Sequence, residues 1–185
     1  YGEQVFHSST QLTNGKLSVL VDCGAWSNIM GKPLAFKLAR RAKESGHEPS
    51  EAKMPRMSVS GVGNGTQECN WRVSVPIAVP TGTGSSLLHT LSMPIVEGQE
   101  GSELPGLLGL QSLEMHRAVI DTHKRKLLIP GPGEVKYELP PGTMEIPLEK
   151  APSGHLVMVI DDYENLAKTK GGLAPRSAHF LSMDP

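Results

Sequence analysis

Leu17-Ser18-Val19-Leu20-Val21 is apolar and β-branched almost throughout, the pattern of a strand buried on both faces, and it stops abruptly at Asp22-Cys23-Gly24-Ala25. Upstream, Gly2–Ser9 alternate loosely, as an edge strand would. Thr13-Asn14-Gly15-Lys16 reads as a tight turn, because Asn-Gly readily takes the positive φ of hairpins. From Pro33 to Glu44 the period changes. Leu34, Lys37, Leu38, Arg41 and Ala42 set apolar and basic residues at helical spacing, with Pro33 near the start and Gly46 past the end. Met57 to Val79 predicts a long hairpin, its β-formers flanking Gly61-Val62-Gly63-Asn64-Gly65, and Leu87–Val96 predicts a further strand. Leu104-Pro105-Gly106 is a turn into Leu107-Leu108-Gly109. A short helix at Leu110–His116 and strands at Ala118–Asp121 and Lys126–Ile129 follow. Pro130-Gly131-Pro132-Gly133 then ends the compact part. Beyond it stand Pro140-Pro141-Gly142, a strand candidate at Leu156–Ile160 and a short acidic helix candidate at Asp161–Lys168.

At 185 residues the chain fits one domain, residues 1–133, with an extension over 134–185 whose role the sequence does not state. Twenty glycines and 15 prolines against 4% aromatic residues favour short strands and turns, hence a mainly β protein. A net charge of −1 removes the electrostatic argument for nucleic acid. No apolar run approaches the ~20 residues of a membrane span. Cys23 and Cys69 make neither a disulfide framework nor a zinc motif, and they leave the compartment open. The seven histidines are scattered, so no metal is expected. The basic helix face of Lys32, Lys37, Arg40, Arg41 and Lys43 reads as a solvated surface. Without an initiator Met or a signal-like segment, the chain is expected to begin inside a longer polypeptide.

The chemistry concentrates at Asp22, a carboxylate that an apolar strand is expected to deliver to its buried end, where a charged group needs a reason. Its plain reading is an Asp capping the turn that follows it. Gly61-Val62-Gly63-Asn64-Gly65 is a poor dinucleotide motif, since strand rather than helix follows it. Asn64-Gly65-Thr66 matches a glycosylation acceptor but nothing else in the chain indicates secretion.

Val21-Asp22-Cys23-Gly24-Ala25 resembles the hydrophobic-Asp-(Thr/Ser)-Gly-Ala motif of retropepsin-like aspartic proteases, which retroviral and LTR-retrotransposon polyproteins encode. Three further elements follow in that family's order: the glycine-rich hairpin at Val59–Gln67, the strand pair through Val79, and Leu107-Leu108-Gly109-Leu110-Gln111-Ser112-Leu113 leading to Ala118-Val119-Ile120-Asp121. The resemblance implies a mainly β retropepsin-like closed barrel with one or two helices and a C-terminal extension. It implies Asp22 as the catalytic carboxylate, with Cys23, Gly24 and Ala25 supporting the active-site loop. Gly61, Val62, Gly63, Asn64 and Gly65 would form a flap over substrate, and Leu108 and Gly109 a strand beneath the site.

Such an enzyme needs no cofactor, because two carboxylates sharing one proton activate a water against a peptide carbonyl. The chain holds one half of that pair. Asp121-Thr122-His123 lacks the glycine and Asp161-Asp162 has neither flank, so two chains would bring their Asp22 residues together about a two-fold axis to cleave extended polypeptide. Two departures stand out. Gln111 replaces the family's usual acidic residue. Cys23 replaces a Thr or Ser whose hydroxyl bonds across the dimer, and a thiol is a weak donor and acceptor. An alternative expectation follows from Cys23 and the extension: a catalytically weak or inactive retropepsin-like fold serving as a structural or interaction subunit, with protein partners in a larger assembly.

Overall fold

The computed structural model describes residues 12–60, 66–97, 104–163 and 165, divided between two compact units, Tyr1–Glu138 and Leu139–Pro185. The expected edge strand at Gly2–Ser9 and the expected flap residues Gly61–Gly65 lie outside the described residues.

In the first unit the Asn-Gly turn forms as its chemistry dictates. Gly15 takes φ +73°, its N–H donates to the Leu12 carbonyl at 3.1 Å, and the Lys16 N–H donates to Asn14 Oδ1 at 3.0 Å. Strand β1 (Val19–Asp22) follows, then the two-residue β2 (Met30–Gly31), which runs directly into helix α1 (Lys32–Glu44). Pro33 sits in the first turn of α1, and Arg41 and Lys43 sit in the last, where cations suit the carbonyl end of the helix dipole. Gly46 at φ +80° closes the helix: its N–H reaches the Lys43 carbonyl and the His47 N–H reaches that of Ala42, both at 2.9 Å.

Strands β3 (Ser50–Ser60), β4 (Thr66–Pro80) and β5 (Ser86–Val96) complete an antiparallel meander, joined by β2 in parallel to give the order β2-β5-β4-β3. The β3–β4 register slips between Lys53 and Met57, around Pro55, which has no N–H to give the ladder. Strand β6 (Gly106–Gly109) pairs in parallel with β1, short helix α2 (Leu110–Met115) follows, and β7 (Val119–Asp121) with β8 (Lys126–Leu128) makes an antiparallel hairpin. Among the described residues the core has two clusters. Met30, Ala35, Met93 and Ile95 are buried where α1 meets the sheet; Ile29, Cys69, Val96, Leu104 and Leu107 are buried nearer the end of β1.

The second unit contains an antiparallel pair, β9 (Leu148–Lys150) and β10 (Leu156–Met158). The strand expected at Leu156–Ile160 therefore ends two residues early. Most of the acidic helix expected at Asp161–Lys168 lies outside the described residues.

Two expectations are corrected. Among the described residues the strands form four separate open sheets, not a closed barrel. Among the described residues β1 pairs with β6 alone, this pair meets the main sheet through a single Ile29–Leu107 bridge, and β3 keeps an outer edge broken by Pro55, so the strands do not close. The strand before Asp22 is also not buried on both faces: adjacent Leu20 and Val21, which point to opposite sides of β1, are 38% and 39% exposed, and among the described residues β1 pairs with β6 alone.

Cys69 is fully buried, whereas Cys23 is exposed. Burial, and secondarily the charge of Glu97, push the Cys69 thiol up. Native protein is therefore expected to release one equivalent of thiol rapidly to an aromatic disulfide reagent, and the second on unfolding. The native state prefers Cys69 protonated. Its stability should start to fall as pH passes the unfolded chain's thiol value, about 8.5, and keep falling until the buried thiol itself ionises. Rapid reaction of two thiols in the native state would contradict this placement.

Candidate functional site

The apolar run of β1 carries the chain to Asp22, and the backbone reverses there. The Gly24 N–H donates to Asp22 Oδ1 at 2.8 Å and the Ala25 N–H donates to the Asp22 carbonyl at 3.3 Å. Asp22 thus caps its own turn, as its type favours. It is half-buried, and Cys23 and Gly24 beside it are exposed. A Cβ on Gly24 would stand 3.1 Å from Asp22 Oδ1, so the glycine leaves the carboxylate room to take the amide proton.

The loop then folds onto the junction of β6 and α2. Helix α2 starts at Gly109, which has no side chain to cap it, and the first amides of any helix lack intrahelical partners. The Asp22 loop supplies the missing acceptors. The Leu110 N–H donates to the Ala25 carbonyl at 2.7 Å, the Gln111 N–H to that of Trp26 at 3.0 Å, and the Gly109 N–H to Asn28 Oδ1 at 2.8 Å. Asn28 Nδ2 donates in turn to Ser112 Oγ at 2.7 Å. Ile29 rejoins the fold by exchanging both backbone bonds with Leu107, at 3.3 and 2.8 Å.

Gly109 is where the two segments touch. In the parallel β1–β6 register it stands opposite Asp22, and Leu108 stands opposite Val21. A Cβ at Gly109 would lie 2.7 Å from the Ser27 carbonyl carbon and oxygen and 2.9 Å from the Ala25 carbonyl oxygen. Only glycine admits that approach. Ala25 packs against the cluster of Ile29, Cys69, Val96, Leu104 and Leu107, which fixes the far side of the loop.

The structure thus brings Asp22, Cys23, Gly24 and Ala25 together with Leu108 and Gly109. Gly61, Val62, Gly63, Asn64 and Gly65 fall outside the described residues, although the hairpin they connect is paired up to Ser60 and Thr66. Asn28 and Ser112 are site residues that the sequence did not single out. Their partnership spans 84 positions, and its one local signal is a polar residue directly before the apolar Ile29-Met30.

Elsewhere a groove of about 670 Å³ runs between α1 and the sheet, past Phe36, Ala39, Trp71 and Val73, and it does not include Asp22. Among the described residues no group of three or more His, Cys, Asp or Glu is placed to hold a metal ion. No described helix is long and apolar enough to cross a membrane.

No known protein family's sequence profile matches the chain, and no curated protein matches it. Among solved structures it is similar to the retroviral protease-like domain of Ddi1 from Leishmania major, with 25% identity and a TM-score of 0.37, covering 61% of this chain and 78% of that one.

The contact at Gly109 yields a test. Gly109→Ala should cost about 1–3 kcal/mol of stability in urea unfolding, the range for overpacking a tight contact. It should also move the amide resonances of Gly24 to Asn28 more than those of α1. An unchanged midpoint and unchanged loop resonances would contradict the close approach.

Proposed function

We propose that the chain is a retropepsin-like aspartic endopeptidase domain that acts as a homodimer on extended polypeptide, with Asp22 of each copy forming the catalytic pair. The observation that carries this reading is the placement of Asp22. Its carboxylate stands at the end of a strand, steadied by the Gly24 amide, on a loop clamped to the start of α2.

One such carboxylate is a proton acceptor. Two within a few ångströms of each other share a single proton, because like charges resist ionising together. The ionised member then takes a proton from water while the protonated member hydrogen-bonds the scissile carbonyl. Attack gives a tetrahedral intermediate, and return of the proton to the amide nitrogen expels the amine. The Gly61–Gly65 tip would close over the substrate, and docking in an extended conformation suits backbone pairing with a hairpin.

A second reading is favoured by Cys23, whose thiol takes the place of a cross-dimer hydroxyl. In it the domain has weak or no catalysis and serves as an interaction subunit.

Cleavage of an unfolded polypeptide between about pH 4 and 7 separates the two. The peptidase reading expects Asp22→Asn to reduce the rate at least ~100-fold and Cys23→Thr to raise it by tightening the dimer. Equal rates in the parent chain and Asp22→Asn would remove Asp22 from catalysis and leave the interaction subunit.

A further inference from the structure

We propose that Asn28 is the positioning residue of the Asp22 loop: its carboxamide, held between the Gly109 amide and the Ser112 hydroxyl, sets where Asp22 stands. The inference rests on the peptidase reading for its catalytic consequence, and on geometry alone for its structural one.

Three acceptors of the loop hold the start of α2. Two are the backbone carbonyls of Ala25 and Trp26, which any side chain at those positions would provide. The third is a side-chain atom, Asn28 Oδ1, and it takes the amide of Gly109, the residue opposite Asp22 in the β1–β6 register. A displacement of Gly109 therefore passes to Asp22 across one strand pair. The other end of the carboxamide anchors on Ser112 Oγ, one turn into α2 and half-buried. One short side chain thus ties the loop to the strand and the helix at once.

The residue type follows from what it must do. The backbone amide of Gly109 can only donate, so an oxygen must face it; the Ser112 hydroxyl can donate or accept. Asn satisfies both partners at a one-carbon reach. Asp would satisfy them too, because its two oxygens accept from the amide and from the hydroxyl. Leu matches the shape and satisfies neither. A change to Leu strands the Gly109 amide in a half-buried junction, where loss of a partner is costlier than the bond it replaces.

The variants Asn28→Leu, Asn28→Asp and Ser112→Ala in the full chain test this. Amide hydrogen exchange reports on the clamp, and the 13C resonance of the Asp22 carboxyl reports on the reacting group. Asn28→Leu should speed exchange of the Gly109 amide at least tenfold and shift the Asp22 carboxyl resonance, with the amides of α1 unchanged. Asn28→Asp should restore the slow exchange of the Gly109 amide toward the parent value, which general destabilisation would not do. Should Asn28→Leu fail to fold, Ser112→Ala keeps the Gly109 bond and should move the same two signals less, in the same direction.

The activity arm separates the two claims. With cleavage present in the parent, Asn28→Leu should lower kcat at least tenfold and leave KM nearly constant. Shifted Gly109 and Asp22 signals in a chain without Asp22-dependent cleavage would uphold Asn28 and overturn the peptidase. Unchanged signals in Asn28→Leu or Ser112→Ala would overturn the role of Asn28, whatever the activity.

Discussion

The unmet amides at the start of α2 are the constraint on which the site depends. A helix that begins at a glycine cannot cap itself, and α2 begins where β1 and β6 have just paired. Its Leu110 and Gln111 amides, with that of Gly109, find their acceptors in the segment that follows Asp22. The same bonds that complete the helix therefore fix the loop. Gly109 has no room for a Cβ because the loop carbonyls lie against it, and Ala25 faces the buried cluster that contains Ile29 and Leu107. A segment 81 positions away in sequence becomes part of the scaffold of the candidate site, and its helix end and the candidate chemistry share one set of hydrogen bonds.

Local structure was largely legible in the sequence. The Asn14-Gly15 turn, the helix beginning by Pro33, the hairpin around Gly61–Gly65 and the short helix after Gly109 all follow from residue types whose backbone preferences act over a few positions. The burial of β1 was not legible. A continuous apolar run such as Leu17–Val21 reads the same whether or not its two sides meet the core, and here Leu20 and Val21, on opposite sides of β1, stay exposed. The tie from Asn28 to Ser112 was hidden for a different reason: its partners are set by the fold, and an Asn in a turn has many uses. The closed barrel came from resemblance, and among the described residues the single bridge between Ile29 and Leu107 does not close it.

Asp22, Gly24, Ala25 and Gly109 carry one logic: a carboxylate with space beside it, on a loop without slack. That logic suits a reacting group, since a carboxylate that must meet a counterpart and a water has to be placed before the substrate arrives. Cys23 stands apart from it. Exposed and adjacent to Asp22, it supplies a weaker hydrogen-bonding group than the hydroxyl of the motif it resembles, at the position through which two copies would be tied. The strength of self-association is therefore where the peptidase and interaction-subunit readings part.

Each copy supplies one half of the proposed pair, so the most direct test of the account is the native mass measured by light scattering over a concentration series. The account predicts a mass that rises from 19.9 kDa toward twice that value as concentration increases, at a lower concentration for Cys23→Thr. A mass of 19.9 kDa at every concentration, in both proteins, would contradict it and leave Asp22 without the partner its chemistry needs.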